Sequence, residues 1–200
     1  GACMGGGTEF SLACTYRVAS DHEKVQIALP EVKLGIIPGF GGTQRLPRLI
    51  GLQQSLPLIL TGKAVDGKKA YRLHLVDEYF SESFFDQKLE EFAQSVLTEK
   101  GRKKVRKRRR KTGLLTALLE ENPLGRSVIY SKAKQSIVKQ TKGLYPAPLA
   151  ALTAVKKGFS KSLKKGLMIE ADEFAKVCIT DISKQLIQLF FLTESLKKYS

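Results

Sequence analysis

The chain has 200 residues, of which 42% are hydrophobic and 26% charged, a balance typical of a globular protein with a sizeable core. No stretch approaches the roughly 18 to 20 consecutive apolar residues that a membrane-spanning helix needs, so a transmembrane protein is excluded. No charged and then apolar leader opens the chain, so secretion is not expected. Three widely spaced cysteines favour neither a disulfide framework nor a zinc site and fit a reducing compartment, so we expect a cytoplasmic protein.

The net charge of +15 is concentrated between Lys100 and Lys111. Ten of these twelve residues are Lys or Arg and none is acidic, so two thirds of the net charge lies there. Because like charges at this density repel one another, we expect residues 100–112 to form a solvated, poorly ordered linker. It would separate a first region, residues 1–99, from a second region, residues 113–200.

The first region alternates glycine-rich turns with short apolar runs. A helix is predicted to start near Gly6, a short strand to cover residues 25–29, and a turn at residues 39–42 to lead into a helix that Gly51 stops. The glycines supply the backbone freedom that each of these breaks needs.

Two further helices of the first region are predicted from their capping residues. Asp66 is a good N-cap for a short helix, and Ser83 can cap the next, whose apolar residues repeat on one face until Gly101 closes it. We interpret His74 as a strained structural cap rather than a catalytic histidine, because the family resemblance given below implies a helix-ending glycine at this position and histidine tolerates a left-handed backbone.

The second region is predicted to be helical, with no strand pattern. Asn122 followed by Pro123 marks a helix start, and Thr180 or Asp181 caps the last helix. The prolines at 146 and 148 make a hard break between helices.

Residues 5–9, Gly-Gly-Gly-Thr-Glu, are the first candidate for chemistry. Glycines before a helix let a ligand approach the backbone, and the free N–H groups of the first turn favour a negative oxygen. Glu9 would lie one turn into that helix, beside whatever the N–H groups hold. On this motif alone, a flexible turn with a capping glutamate remains the simpler interpretation.

Glu31 is the second candidate, because it lies between apolar residues after a short strand and before a rigid Pro/Gly turn. Taken alone it is better explained as a surface or salt-bridged residue. Together with Glu9 it forms a candidate pair, since two carboxylates around one water can divide the roles of base and acid.

Ordered motifs give the chain a family resemblance. Residues 5–9, residues 30–51 (Pro-Glu-Val-Lys-Leu-Gly-Ile-Ile-Pro-Gly-Phe-Gly-Gly-Thr-Gln-Arg-Leu-Pro-Arg-Leu-Ile-Gly) and residues 60–63 (Leu-Thr-Gly-Lys) resemble the crotonase, or enoyl-CoA hydratase/isomerase, superfamily. Residues 122–126 and 143–149 are similar to the connecting helices of the fatty-acid-oxidation multifunctional enzymes, in which a hydratase domain is joined to an NAD-dependent 3-hydroxyacyl-CoA dehydrogenase.

The resemblance implies an α/β fold: the C-terminal part of a crotonase-type ββα superhelix followed by a mainly helical connecting region. Residues 1–99 would be a truncated hydratase domain, and residues 113–200 would lead to a dehydrogenase domain that is absent here. Because the chain also opens without methionine, we expect a fragment. We expect it to be inactive alone, since the resemblance implies that the second N–H group of the oxyanion hole lies in residues that are absent here.

The resemblance also implies roles for five residues. Glu9 and Glu31 would be the catalytic carboxylates, the Gly6 N–H would form part of the oxyanion hole, and Gly7 and Gly39 would contact substrate. The reaction would add water to a trans-2-enoyl-CoA to give a 3-hydroxyacyl-CoA. We expect no metal and no cofactor in this chain beyond the CoA thioester substrate, with NAD bound only by the absent dehydrogenase domain.

Two other functions stay open. The protein could be an enoyl-CoA isomerase of the same superfamily, although two carboxylates favour hydration. Alternatively, the basic segment could bind anionic partners, although it carries no interleaved aromatic residue for base stacking and no nucleic acid is expected. A thiolase subunit and a second copy of the chain are possible partners implied by the resemblance.

Overall fold

The computed structural model of the protein describes residues 1–109 and 119–197. The strands are β1 Ala2–Met4, β2 Val18–Ser20, β3 Gln26–Ala28 and β4 Glu78–Phe80, and 3₁₀ helices cover Pro30–Leu34 and Glu82–Phe84. The α-helices are α1 Gly6–Ala13, α2 Gly42–Ile50, α3 Leu52–Thr61, α4 Gly67–Arg72, α5 Phe85–Leu97, α6 Glu99–Arg109, α7 Pro123–Thr141, α8 Pro146–Gly158, α9 Leu163–Cys178 and α10 Asp181–Leu196. None of these helices is long and apolar enough to cross a membrane.

The strands form two parallel pairs, β1 with β3 and β2 with β4. In the first pair Met4 lies opposite Ala28, and the Gly5 N–H donates to the Ala28 carbonyl at 2.9 Å. Parallel strands end at the same edge of a sheet, so the segments that follow β1 and β3 leave side by side. This register places the start of α1 beside the 3₁₀ helix that carries Glu31.

One hydrophobic core joins the two predicted regions. Ala154 and Val155 of α8 are fully buried in the same cluster as Leu52 and Ile59 of α3. The Gln44 side chain of α2 adds a hydrogen bond to the Ala154 carbonyl, at 3.0 Å. Helices α8 and α9 therefore pack directly on the elements of the first region. The predicted domain boundary at residue 99 stays a prediction.

Several predicted caps are confirmed. Asp66 accepts a hydrogen bond from the Lys69 N–H, Asn122 from the Leu124 N–H, and Thr180 from the Ser183 N–H. His74 has a φ of 61°, as expected of a left-handed cap. The second region contains helices and no strand over residues 119–197, and residues 113–118 lie outside the described part.

Two predicted boundaries of α5 are wrong. The helix begins at Phe85 after a 3₁₀ turn, and Ser83 makes no capping hydrogen bond. It ends at Leu97, because the backbone of Thr98 is extended. The Thr98 hydroxyl accepts a hydrogen bond from the Gly101 N–H at 3.1 Å, at the start of α6. Gly101 is a packing residue instead of a terminator, because a Cβ there would collide with the Ser95 carbonyl.

The prediction of a poorly ordered linker over residues 100–112 is also wrong for residues 100–109, which lie in α6; residues 110–112 are outside the described part. Three contacts on one side of the helix explain the difference. Val105 is buried, the Arg108 guanidinium lies 3.7 Å from the centre of the Tyr71 ring, and Arg109 forms an ion pair with Asp77. These contacts offset the repulsion among the exposed lysines and arginines.

Candidate active site

The parallel register of β1 and β3 brings the two predicted carboxylates to one place. Gly5, at the end of β1, has a φ of 55° and starts α1, which carries Glu9 one turn later. A Cβ added at Gly5 would lie 3.0 Å from the Glu31 Oε1 atom, so the Glu31 carboxylate sits against the first turn of α1. The glycine is required here both for its backbone angle and for this close approach.

Glu9 is 2% exposed and its carboxylate is held by backbone donors. Its Oε1 atom accepts hydrogen bonds from the Phe40 N–H at 2.8 Å and the Gly42 N–H at 2.7 Å. Burial raises the pKa of Glu9, while these N–H groups and the positive charge of Arg45 oppose the rise. A carboxylate with two N–H donors on one oxygen is suited to staying ionised.

Glu31 has a different environment. Its Oε2 atom is buried and has no hydrogen-bond partner among the described residues. Burial raises the pKa of Glu31 to about 7, and the nearby charges of Glu9 and Glu170 add to the rise. The two carboxylates therefore differ: backbone N–H groups limit the rise in the pKa of Glu9, whereas the Glu31 Oε2 atom has no such donor and the pKa of Glu31 rises to about 7.

The structure adds a third carboxylate, Glu170 of α9, which the sequence analysis did not identify. Glu170 is fully buried and accepts from the Gly41 N–H at 2.5 Å and from the Thr43 N–H at 2.9 Å. Burial raises its pKa to about 7. The sequence did contain a signal, which is the helical spacing of the residues that form the buried face of α9: Gly166, Glu170, Glu173 and Val177.

The three predicted glycines lie near this cluster in different surroundings. Gly6 and Gly7 are in the first turn of α1, whose N–H groups have no acceptor within the helix. Gly39 allows close packing, since a Cβ there would lie 3.0 Å from the Phe174 ring of α9. The geometry thus gathers Glu9, Glu31 and Gly6, while the substrate contacts of Gly7 and Gly39 stay predictions.

The raised pKa of Glu31 predicts a pH-dependent stability. A carboxyl whose pKa rises from 4.5 to about 7 on folding contributes stability below its unfolded pKa, and this contribution is lost as the pH rises through 7. Glu31→Gln replaces the buried acid by a neutral amide. We expect the variant to exceed the wild type by about 1 kcal/mol in unfolding free energy near pH 8, with little difference near pH 5.

Urea unfolding of both proteins across this pH range measures the effect. Glu23→Gln is the control, because Glu23 is exposed in the loop before β3. Its replacement should leave the dependence of the unfolding free energy on pH unchanged. Parallel curves for the wild type and Glu31→Gln would show that Glu31 does not titrate abnormally.

Comparison with known proteins identifies the class. The family model described as enoyl-CoA hydratase/isomerase matches residues 1–145, a range that passes through the basic segment and beyond Asn122. The chain therefore belongs to the enoyl-CoA hydratase/isomerase family. The predicted resemblance and the α/β fold class are confirmed.

Similar individual proteins refine this result. The chain is 43% identical over 198 residues to the fatty acid oxidation complex subunit alpha of Shewanella amazonensis, and 45% identical over 201 residues to that of Aliivibrio fischeri. Each match covers 99% of this chain and 27% of the relative, so the chain spans about a quarter of the length of these relatives. The crystal structure of carnitinyl-CoA hydratase from Mycobacterium avium superposes with a TM-score of 0.59 at 19% identity, covering 96% of this chain and 57% of that one, which supports the fold.

Proposed function

We propose that the protein containing this chain is an enoyl-CoA hydratase of fatty acid β-oxidation, acting on trans-2-enoyl-CoA thioesters. The observation that carries the proposal is the pairing of two unlike carboxylates at the start of α1. Glu9 accepts two backbone N–H bonds, and Glu31 has an unpartnered buried oxygen and a pKa of about 7. Family membership supplies the reaction class.

The proposed mechanism gives each group one task. Glu9, as the anion, would accept a proton from water as the water oxygen adds to C3 of the enoyl group. Glu31, as the acid, would deliver a proton to C2. The thioester oxygen gains negative charge during the addition, and the Gly6 N–H at the positive end of α1 would stabilise it.

The same arrangement favours hydration over double-bond isomerisation. Isomerisation moves one proton between two carbons and can use a single carboxylate as shuttle, whereas hydration needs both a base for water and an acid for carbon. Because the buried Glu9 and the half-buried Glu31 lie beside the same turn of α1, the hydratase is the better-supported proposal.

Partners and location follow from what the relatives are called. Their name describes one subunit of a fatty acid oxidation complex. We propose that this protein likewise assembles with a second subunit, a thiolase, and that copies of it associate. We also propose that NAD serves a dehydrogenase activity outside this chain. Co-purification with the tagged full-length protein tests the assembly.

The three cysteines are free thiols, which supports a cytoplasmic location.

The anionic-partner alternative receives less support. Arg108 and Arg109 are engaged with Tyr71 and Asp77 and are therefore unavailable to a partner. The exposed remainder of α6 keeps its charge, so binding of an anionic partner there stays a prediction.

An absorbance assay tests the main proposal. The full-length protein that contains this chain should consume crotonyl-CoA with loss of the enoyl thioester absorbance, and 3-hydroxybutyryl-CoA should appear in equal amount. A 3-enoyl-CoA substrate distinguishes the isomerase, which would convert it to the 2-enoyl form without net addition of water. Isomerisation without hydration would refute the hydratase assignment.

A further inference from the structure

Two carboxylates from distant parts of the chain share the N–H groups of one turn in alternation. The N–H groups of residues 40 and 42 donate to Glu9, and those of residues 41 and 43 donate to Glu170. The Thr43 hydroxyl adds a third hydrogen bond to Glu170 at 2.5 Å. Glu9 and Glu170 therefore each hold two of the four N–H groups of the turn.

This turn has little rigidity of its own, because two of its four residues are glycine. Gly41 has a φ of 107°, in the region that favours glycine, and a Cβ at Gly42 would lie 2.9 Å from the Glu9 Oε1 atom. Glycine-rich backbone is flexible unless other groups fix it. Since Glu170 takes three of the available donors and is anchored in the sixteen-residue helix α9, it supplies that constraint.

We propose that Glu170 is a positioning residue: it fixes the 40–43 turn so that the Phe40 and Gly42 N–H groups hold Glu9 in place to activate water. The inference rests on the proposed hydratase function. Glu170 acts through the turn instead of on the substrate.

Glu170 also sets the electrostatic environment of the pair. The charged groups that face this cluster are Glu9 from α1, Glu31 from the 3₁₀ helix and Arg45 from α2. The negative charge of Glu170 raises the pKa of Glu31, and removing it should therefore lower that pKa. If Glu31 must carry a proton, the activity should then begin to fall at a lower pH.

The test compares Glu170→Gln with Glu173→Gln in the full-length protein. Glutamine keeps the size of the side chain but turns an NH₂ group toward one turn N–H, so one donor loses its acceptor. We expect kcat for crotonyl-CoA to fall about 10- to 100-fold with KM changed less than about 2-fold, and the alkaline limb of the pH profile to move to lower pH.

Glu173→Gln is the matched control, because Glu173 is also a buried carboxylate of α9, but its partners are the exposed Lys157 and Lys176 side chains instead of the 40–43 turn. It should leave kcat and the pH profile unchanged. A wild-type kcat and profile for Glu170→Gln would overturn the inference, and so would equal losses in both variants. Thr43→Val serves where Glu170→Gln does not fold: it removes the hydroxyl bond to Glu170 and the bond that the hydroxyl accepts from the Gln44 side chain, and it keeps the two N–H bonds to Glu170. A kcat unchanged from the wild type would equally count against the positioning role.

An infrared titration of the carboxyl groups separates this inference from the proposed function. The band that disappears in Glu31→Gln reports the protonation of Glu31 without any substrate. It should titrate at lower pH in Glu170→Gln than in the wild type, and an unshifted band would overturn the electrostatic part. Absence of hydration by the wild type would instead refute the proposed function.

Discussion

Replacing either Glu9 or Glu31 by glutamine is expected to lower kcat for crotonyl-CoA hydration by about 10²- to 10⁴-fold, with substrate affinity retained. Glutamine at position 9 keeps an oxygen to accept the Phe40 and Gly42 N–H bonds but cannot take a proton from water. Glutamine at position 31 cannot deliver a proton to carbon. Because neither change alters the volume of the site, the loss should fall on kcat and leave KM nearly unchanged.

Steady-state kinetics on the full-length protein, with Glu23→Gln as the exposed control, measures both effects. The double variant should be no more than slightly slower than either single variant, since the two groups act in one step. Turnover near that of the wild type in either single variant would contradict the assigned roles. A raised KM with unchanged kcat would indicate a binding residue instead.

The features that sequence reasoning identified are those with local causes. The Asp66, Asn122 and Thr180 caps each involve a side chain and a backbone N–H two or three residues away, so the sequence contains both partners in one short window. The start of α1 at Gly6 also has a local cause, because it follows a glycine with a φ of 55° and no side-chain cap is involved. The left-handed backbone of His74 was also predictable, because it ends a helix where few residue types are tolerated.

The features that it missed depend on partners far along the chain. Glu170 lies 127 residues from Thr43, whose N–H donates to it, and nothing near Glu170 predicts that contact. The meeting of Glu9 and Glu31 was expected as a candidate pair, but it depends on the parallel register of β1 with β3, which the sequence analysis did not predict. The order of α6 likewise depends on Tyr71 and Asp77, which lie about 30 residues earlier.

The ion pair between Arg109 and Asp77 leads to the second prediction with a large effect, which concerns the stability of the fold. Asp77 is 1% exposed, and its carboxylate receives two hydrogen bonds from Arg109, at 2.7 Å each, and one from the Arg17 N–H at 2.9 Å. Asp77→Ala removes all three, so Arg109 loses its counter-ion and keeps the Thr15 carbonyl as an acceptor, while the buried Arg17 N–H is left without one. We expect the unfolding free energy to fall by about 3 kcal/mol, less than the full cost of a buried ion pair because Arg109 is partly exposed.

Urea unfolding of the protein and its variants measures this loss, and the neighbouring ion pair of α6 provides the control. Lys104 lies 3.9 Å from Glu78 and is largely exposed, so Lys104→Ala should cost less than about 1 kcal/mol. Removing the arginine instead, with Arg109→Met, leaves Asp77 buried without its cation and should cost a similar amount to Asp77→Ala. If Asp77→Ala and Lys104→Ala lowered the unfolding free energy by the same small amount, the other contacts of α6 would be what holds the helix. The comparison separates the two cases because Asp77 is buried and Lys104 is exposed.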